Sequence, residues 1–443
     1  MSKDYLAEYD AANDADKYPL VQKWMKTTPL PFFKQLRDER PVLVTPECTL
    51  LALFTDIRDV LQMPSIFTVD LYKPKMGVTE TDPGYLMAHD DDALHYREKS
   101  LMQGMLNRDD IPRVRKIIHD AAKGILDDAN GSIEIVNHYC RMVPAIMVQE
   151  YFGLDGIAPE KLLKWSFWNQ YNTFHNQPFD LNSKEKFDRI VATHAECSQE
   201  LVDYVTVLMV RKVLTVKIKD RLFGSLIKVV NIFRHLFKKQ AWQLKDDIVK
   251  RMLRSSFADQ VNFPITRIGV NAGGLLIGAV ETTSQAVAQV IEFFIERPEL
   301  LTKAKAAAAL TSTDEIDAMV WEALRFVPIS PYMFRQASED YTIAKGTDRE
   351  TTILKGTNVL TLTQSAMFDS YANENPDEFN AERNWYHNFN YGFASHDCLG
   401  KYVGMAMIPE MVRQVMVRSD LKAQSAMNYK AGPFPEEYKL SWH

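Results

Sequence analysis

From residue 93 to residue 325, apolar positions recur at three- and four-residue steps, the period that turns one face of an α-helix toward a core. Ahead of that stretch, Pro31–Arg40 and Asp56–Met63 read as short helices, and Pro41–Thr45 and Thr49–Phe54 as β-runs. Between Ser65 and Ala88 the pattern breaks into Pro, Gly, Thr and aromatic residues, which predicts a loop. Strand-like runs return at Tyr341–Ala344, Thr351–Leu354 and Val359–Leu362. A long irregular stretch, Phe368–Asp397, then leads into a last helix over Leu399–Arg418. The pattern predicts a mainly α protein with small β-sheets toward its two ends. No flexible linker or shift in composition interrupts it, so residues 1–443 read as one domain.

Composition narrows the class only a little. With 46% hydrophobic and 25% charged residues the chain is an ordinary globular one, and a net charge of −6 argues against a nucleic-acid partner. The four cysteines, Cys48, Cys140, Cys197 and Cys398, are widely separated and show neither CxxC nor zinc spacing. A reducing compartment is the simpler expectation. Met1–Pro19 is polar and acidic, unlike a secretory signal, and no apolar run approaches the ~18 residues of a membrane span. A cytoplasmic protein is expected.

Three short motifs carry candidate chemistry. In Tyr391-Gly392-Phe393-Ala394-Ser395-His396-Asp397-Cys398-Leu399-Gly400, a glycine-containing aromatic loop delivers one cysteine to the start of a helix. Helix N–H groups and a bound metal both favour a thiolate there, although a merely buried cysteine suits the same position. Glu322 and Arg325 share a helix face at i and i+3, which suits either a pair with a structural task or a plain surface salt bridge. Gly278-Ala279-Val280-Glu281-Thr282-Thr283 sets an acid and a hydroxyl in the middle of a long apolar helix, roughly Ile265–Glu296, where burying either group requires partners.

Taken in order along the chain, these segments resemble the cytochrome P-450 family from about Pro31 to the C-terminus. The cysteine loop resembles its heme-binding signature, with Tyr391 for the usual Phe, Ala394 for the usual second Gly, and acidic Asp397 beside the cysteine. Glu322 and Arg325, 76 residues before Cys398, resemble its Glu-x-x-Arg, and Arg383 its second arginine. Glu281 and Thr282 match its acid–alcohol pair, 40 residues before Glu322. The resemblance implies the family's triangular helical prism, with heme b held between an oxygen-binding helix and the cysteine-bearing helix. It implies Cys398 as iron ligand, Glu281 and Thr282 as the proton-handling pair, and Glu322, Arg325 and Arg383 as structural residues. His95, Lys99, Arg335 and His396 resemble the family's contacts to the heme propionates. For His95 and Lys99 a solvated helix face is the alternative.

The activity so implied is insertion of one atom of dioxygen into a small molecule, with electrons from a ferredoxin or flavodoxin and its NAD(P)H reductase. Phe67, Tyr72, Met76, Tyr85, Trp165, Trp168, Tyr171, Phe174 and Phe434 fall in segments that line the family's pocket, which implies an apolar or aromatic substrate. Val270, Gly274, Gly278 and Thr282 lie at i+4 steps on one helix face. The alternatives are a peroxide-driven or non-oxygenating heme-thiolate enzyme, and a non-enzymatic heme-binding or ligand-sensing protein. Residues 211–239 stand apart, with nine Lys/Arg against the single acid Asp220. Their apolar stripe is Leu222, Phe223, Leu226, Ile227, Val230, Phe233 and Phe237. Such a segment suits peripheral contact with a membrane or an acidic protein, or ordinary packing with a solvated basic face.

Overall fold

A computed structural model describes residues 3–236, 244–257, 261–430 and 432–443. The helical period of residues 93–325 is realised in a bundle centred on the 31-residue helix Ile265–Ile295. This central helix starts after Pro264 and is buried along most of its length, because apolar and small residues occupy nearly its whole circumference. Gly269 and Gly273 let it approach the helix Lys184–Leu214, where Val205 and Leu201 pack against them. The cysteine-bearing helix, Lys401–Met416, packs against the central helix, Ile111–Asp128 and Asp314–Phe326.

The two ends of the chain share one sheet. Strands β1 (Val42–Val44) and β2 (Thr49–Leu51) form a hairpin, and β3 is Phe67–Thr68. Distant in sequence are β4 (Met333–Ala337) and β5 (Asn358–Thr361). The order is β1-β2-β5-β4-β3, with β2 and β5 parallel, pairing Thr49 with Val359, and the other neighbours antiparallel. Tyr341–Ile343 and Thr351–Ile353 make a separate two-stranded ribbon. The predicted strands are therefore present, while β3, inside the stretch expected to be loop, β4, and a three-stranded sheet of Ser132–Glu134, Lys422–Ala423 and Lys439–Ser441 went unanticipated.

Two helices in the polar N-terminal stretch, Tyr5–Ala11 and Asp14–Thr27, also escaped the pattern. In the second, the buried residues Tyr18, Val21, Trp24 and Met25 recur at three- and four-residue steps, but the in-helix Pro19 and the polar Gln22 and Lys23 between them mask the period. Two large apolar cores result among the described residues, beside a small cluster of Tyr171, Ile190 and Phe434. One lies among the helices, and the other joins the N-terminal helices to the five-stranded sheet.

Candidate functional site

A cavity of about 1190 Å³ opens where the two cores meet, and Cys398, Thr282, Arg335 and His396 line it. It exceeds the roughly 300–1,000 Å³ of a typical ligand pocket, so it has room for more than one guest. Four separate segments supply its chemistry.

The cysteine loop is held by backbone geometry. Gly392 sits at φ +77°, and a Cβ there would meet the His396 carbonyl oxygen at 2.9 Å, so only glycine fits. Ala394 adopts φ 56°, a left-handed conformation that costs a residue bearing a Cβ ~1–2 kcal/mol. The Cys398 N–H donates to the Tyr391 carbonyl at 2.7 Å and closes the loop. The Cys398 side chain is exposed, but the wall it contributes to is that of the cavity. Burial pushes its thiol up, opposed by the Gly400 N–H, Lys99 and Lys401, and assisted by Asp397.

Below the loop, Glu322, Arg325 and Arg383 come together. Arg325 donates to both carboxylate oxygens of Glu322, at 3.0 and 2.7 Å, and Arg383 joins at 3.3 Å. Arg325 also donates to the carbonyls of Met367, Pro376 and Glu378, and Arg383 to those of Glu374, Asn375 and Glu378. The triad thereby ties down the irregular chain that leads into the cysteine loop.

On the central helix, Thr282 faces the cavity and donates its hydroxyl proton to the Gly278 carbonyl at 2.6 Å. That leaves its oxygen as an acceptor. Glu281 points elsewhere. Buried and absent from the cavity wall, it accepts from Arg141 Nε at 3.1 and 3.0 Å. Burial raises its carboxyl to about 7, against the pull of Arg141. Val270, Gly274, Gly278 and Thr282, which their spacing sets on one helix face, all line the cavity. At Gly274 the ring of Tyr85 occupies the space that a Cβ would need.

The candidate propionate contacts divide. Arg335 is buried, with Nη1 donating to the Phe334 carbonyl at 2.8 Å, and His396 meets Asp90 through Nε2 at 3.3 Å. His95 stacks on His396, ring centroids 5.0 Å apart, with both of its ring nitrogens buried without a hydrogen bond and Nδ1 3.7 Å from the Asp91 carboxylate. Burial, assisted by His396 and Lys99, pushes His95 down to about 4. His396 Nδ1 is likewise without a partner. Buried donors of this kind require acceptors, and an acidic group at the cavity edge would supply them. Arg335, His396 and the Cys398 sulfur in the cavity wall, with His95 stacked behind His396 and not itself in the wall, therefore fit heme. Lys99 differs from the sequence expectation. Its ammonium is spent on the Ser395 and Asp397 carbonyls and the Asp397 carboxylate, and it is not part of the cavity wall.

Of the expected pocket aromatics, Tyr72, Tyr85 and Phe174, together with Met76, line the cavity. Phe67, Trp165, Trp168, Tyr171 and Phe434 do not. Phe67 lies in the sheet core, Trp165 donates to Glu200, and the other three pack with Phe167. Sequence reasoning missed Arg141 and a second buried cluster. In that cluster Glu98 accepts two bonds from Arg267, at 2.7 and 2.8 Å, and one from Asn271. Arg267 also holds the Gly84 carbonyl, which fixes the chain just before Tyr85. The one signal available was the Arg267–Asn271 i+4 spacing.

Comparison with known proteins agrees with this geometry. Pentalenic acid synthase of Streptomyces avermitilis is 28% identical over 163 residues, 37% of this chain and 37% of that protein. Cytochrome P450 NovI of Streptomyces niveus is 28% identical over 178 residues, 40% of this chain and 41% of that protein. The aligned stretches thus span about two fifths of the curated relatives' length. Among solved structures, CYP109E1 from Bacillus megaterium in complex with testosterone superposes with a TM-score of 0.72 at 16% identity, over 95% of this chain and 99% of that one. Open EryK from S. erythraea gives 0.73 at 17% identity, over 94% and 96%. These structures share the fold. The cytochrome P450 family model matches residues 161–426, well over half the sequence, and the chain belongs to that family.

Proposed function

We propose that this protein is a heme-thiolate monooxygenase that inserts one atom of dioxygen into an apolar or aromatic small molecule. The observation that carries the reading is the shared cavity, with Cys398 from the loop and Thr282 from the central helix both in its wall. Heme b held by Cys398, Arg335 and His396, with His95 behind His396, would supply reductive activation of dioxygen. The chain's own residues do the rest. The Thr282 hydroxyl, its proton on the Gly278 carbonyl, keeps its oxygen free to accept a hydrogen bond at the cavity wall, while Glu281, bound by Arg141 behind that wall, is the buried acid from which a proton would have to be relayed. Met87, Val205, Met209, Leu275 and Ile277 give the substrate an apolar bed that excludes water. Electrons come from a ferredoxin or flavodoxin with its NAD(P)H reductase. Arg108, stacked 3.9 Å over the ring of Tyr402, offers such a partner a cation near the start of the cysteine helix. The Thr282 hydroxyl in the cavity wall favours the dioxygen route over a peroxide-driven one. As the test, the reduced carbon monoxide complex should show the red-shifted Soret band of a thiolate ligand, and Cys398→Ser or Cys398→His should abolish it. A band that survives either change would refute the assignment.

A second reading concerns residues 211–239, of which Phe237, Lys238 and Lys239 lie outside the described residues. We infer peripheral contact with an anionic lipid surface. Val210, Leu214, Ile218, Leu222, Phe223 and Leu226 are all exposed, Val210 at 60% and Leu222 at 68%. An exposed apolar ridge of this length requires a cover. Asp220, the segment's acid, is neutralised by Arg254 at 3.0 Å and Lys250 at 3.6 Å, so the surroundings stay basic. Val210 and Leu214 also line the cavity, which places its mouth on the ridge. No described helix is long and apolar enough to cross a membrane. The protein should float with anionic liposomes, and Leu222→Asp with Leu226→Asp should abolish flotation. Wild-type protein that stays in the dense fraction overturns the inference.

A further inference from the structure

The cavity is not uniformly apolar. Where the 3₁₀ turn Asp70–Lys75 meets the helices Pro159–His175 and Lys184–Leu214, its wall carries Lys75, Asn169, Gln170, Thr173, His194 and Ser198. Polar side chains on the inner face of a helix cost free energy unless they are bonded, and Asn169, Ser198 and His194 are linked to one another while Gln170 and Lys75 bond to backbone carbonyls. Ser198 donates to Asn169 Oδ1 at 3.1 Å and lies 3.2 Å from His194 Nε2. Asn169 donates to the Trp165 carbonyl at 2.8 Å, and Gln170 donates across to the Ile277 carbonyl of the central helix at 2.7 Å.

Lys75 is the cation in this part of the wall. Its ammonium donates to the Asn172 carbonyl at 2.9 Å and to the Asn176 carbonyl, the C-terminal end of the Pro159–His175 helix. Capping a helix accounts for two of the three donors, and the Phe187 ring, its centroid 5.9 Å away, is a weak further neighbour that accepts no conventional hydrogen bond. Among the described residues no acid forms an ion pair with it, and burial lowers it to about 8, still mostly charged at neutral pH. Asp180 is the nearest acid to act on it, and burial itself raises that carboxyl to about 6. Asp82, the cavity's other acid, sits 3.7 Å from Arg267. A partly desolvated ammonium with one donor to spare, in the wall of a largely apolar cavity, matches a single negative charge on an otherwise apolar guest.

We propose that Lys75, with the Asn169–Ser198–His194 set beside it, recognises a carboxylate at one end of the substrate, so that the substrate class is an elongated apolar carboxylic acid. This rests on the monooxygenase reading for the fate of the apolar end, but not for binding. A doubly charged phosphate would leave one charge uncompensated, and an ester or alcohol would leave the ammonium unpaired.

The experiment is calorimetric titration of the holoenzyme with dodecanoic acid and with methyl dodecanoate, alongside the Soret shift. The acid should bind at least tenfold more tightly than the ester. Lys75→Met should remove that preference by weakening the acid alone, and Lys75→Arg should keep it. Equal binding of acid and ester by wild type overturns the proposal, as does failure of both to bind, or a preference that persists in Lys75→Met. Should Lys75→Met fail to fold for want of its helix cap, the wild-type comparison still decides. The two readings fail separately. A missing carbon monoxide band with the acid preference intact removes the heme-thiolate reading, and a normal band without the preference removes this one.

Discussion

Lys99 and Asp397 form an ion pair at 2.7 Å, between the helix Ala93–Met105 and the residue preceding the cysteine. The same ammonium holds the Ser395 and Asp397 carbonyls, so all three of its donors fasten the loop. Asp397 places a negative charge next to the sulfur, and Lys99 cancels it.

Removing that cancellation should change the iron's potential. Added negative charge near the site favours the ferric form, so Lys99→Met should lower the reduction potential, by roughly 60 mV for a tenfold change in the one-electron equilibrium. Asp397→Asn in the same background should return it toward wild type. Spectroelectrochemical titration of the three proteins checks this, and an unchanged potential in Lys99→Met would refute it.

Ala394 occupies a left-handed conformation at φ 56° where glycine is unstrained. Ala394→Gly should therefore stabilise the protein, by about 1 kcal/mol after the larger entropy loss of glycine is counted. Thermal unfolding of the heme-loaded variant should show a raised Tm. A lowered Tm would mean that the alanine methyl makes contacts worth more than the strain.

Glu322 is buried under two arginines and also accepts from the Asn380 N–H at 3.0 Å. Glu322→Ala strands both cations, a change that costs ~3–5 kcal/mol, a large share of a domain's stability. The variant should be insoluble or nearly free of heme. Soluble protein with normal heme content is the outcome that contradicts this.

Glu281 carries the pH prediction. Its carboxyl is raised from 4.5 to about 7 by burial, so the folded state holds the proton more tightly than the unfolded chain. This group's contribution to stability is complete below about 4.5 and declines as pH rises to about 7. If its protonated form feeds the site, turnover falls as pH climbs through 7, and Glu281→Gln should be slow with that limb absent. Thr282→Ala should instead keep substrate binding and NAD(P)H oxidation, while product per NAD(P)H falls and peroxide release rises. Full coupling in Thr282→Ala would show that protons arrive by another path.

The sequence made legible what is local to it. Cys398, Glu322 with Arg325, and the Glu281-Thr282 motif each sit in a stretch of ten residues or fewer, but helix period brings only Glu322 and Arg325 onto one face. Arg383 and Arg335 needed the resemblance, because the chain returns to the site from afar. What stayed hidden depends on where a side chain points. Nothing in the spacing shows that Lys99 turns to Asp397, or that Glu281 turns to Arg141, 140 positions away. For the same reason five of the aromatics proposed for the pocket are core instead: helical spacing identifies a buried face but not what buries it.

The parallel pairing of β2 with β5 has a consequence during synthesis. Thr49 meets Val359 only after about 310 further residues have been made. At ~5–20 residues per second a ribosome takes on the order of 15–60 s to supply them. Throughout that interval the β1–β2 hairpin presents an open, apolar edge with Leu50 and Leu51 uncovered, the kind of edge that recruits other chains. Yield from a translating ribosome should therefore respond more to chaperone supply and elongation rate than the stability of the finished molecule would suggest.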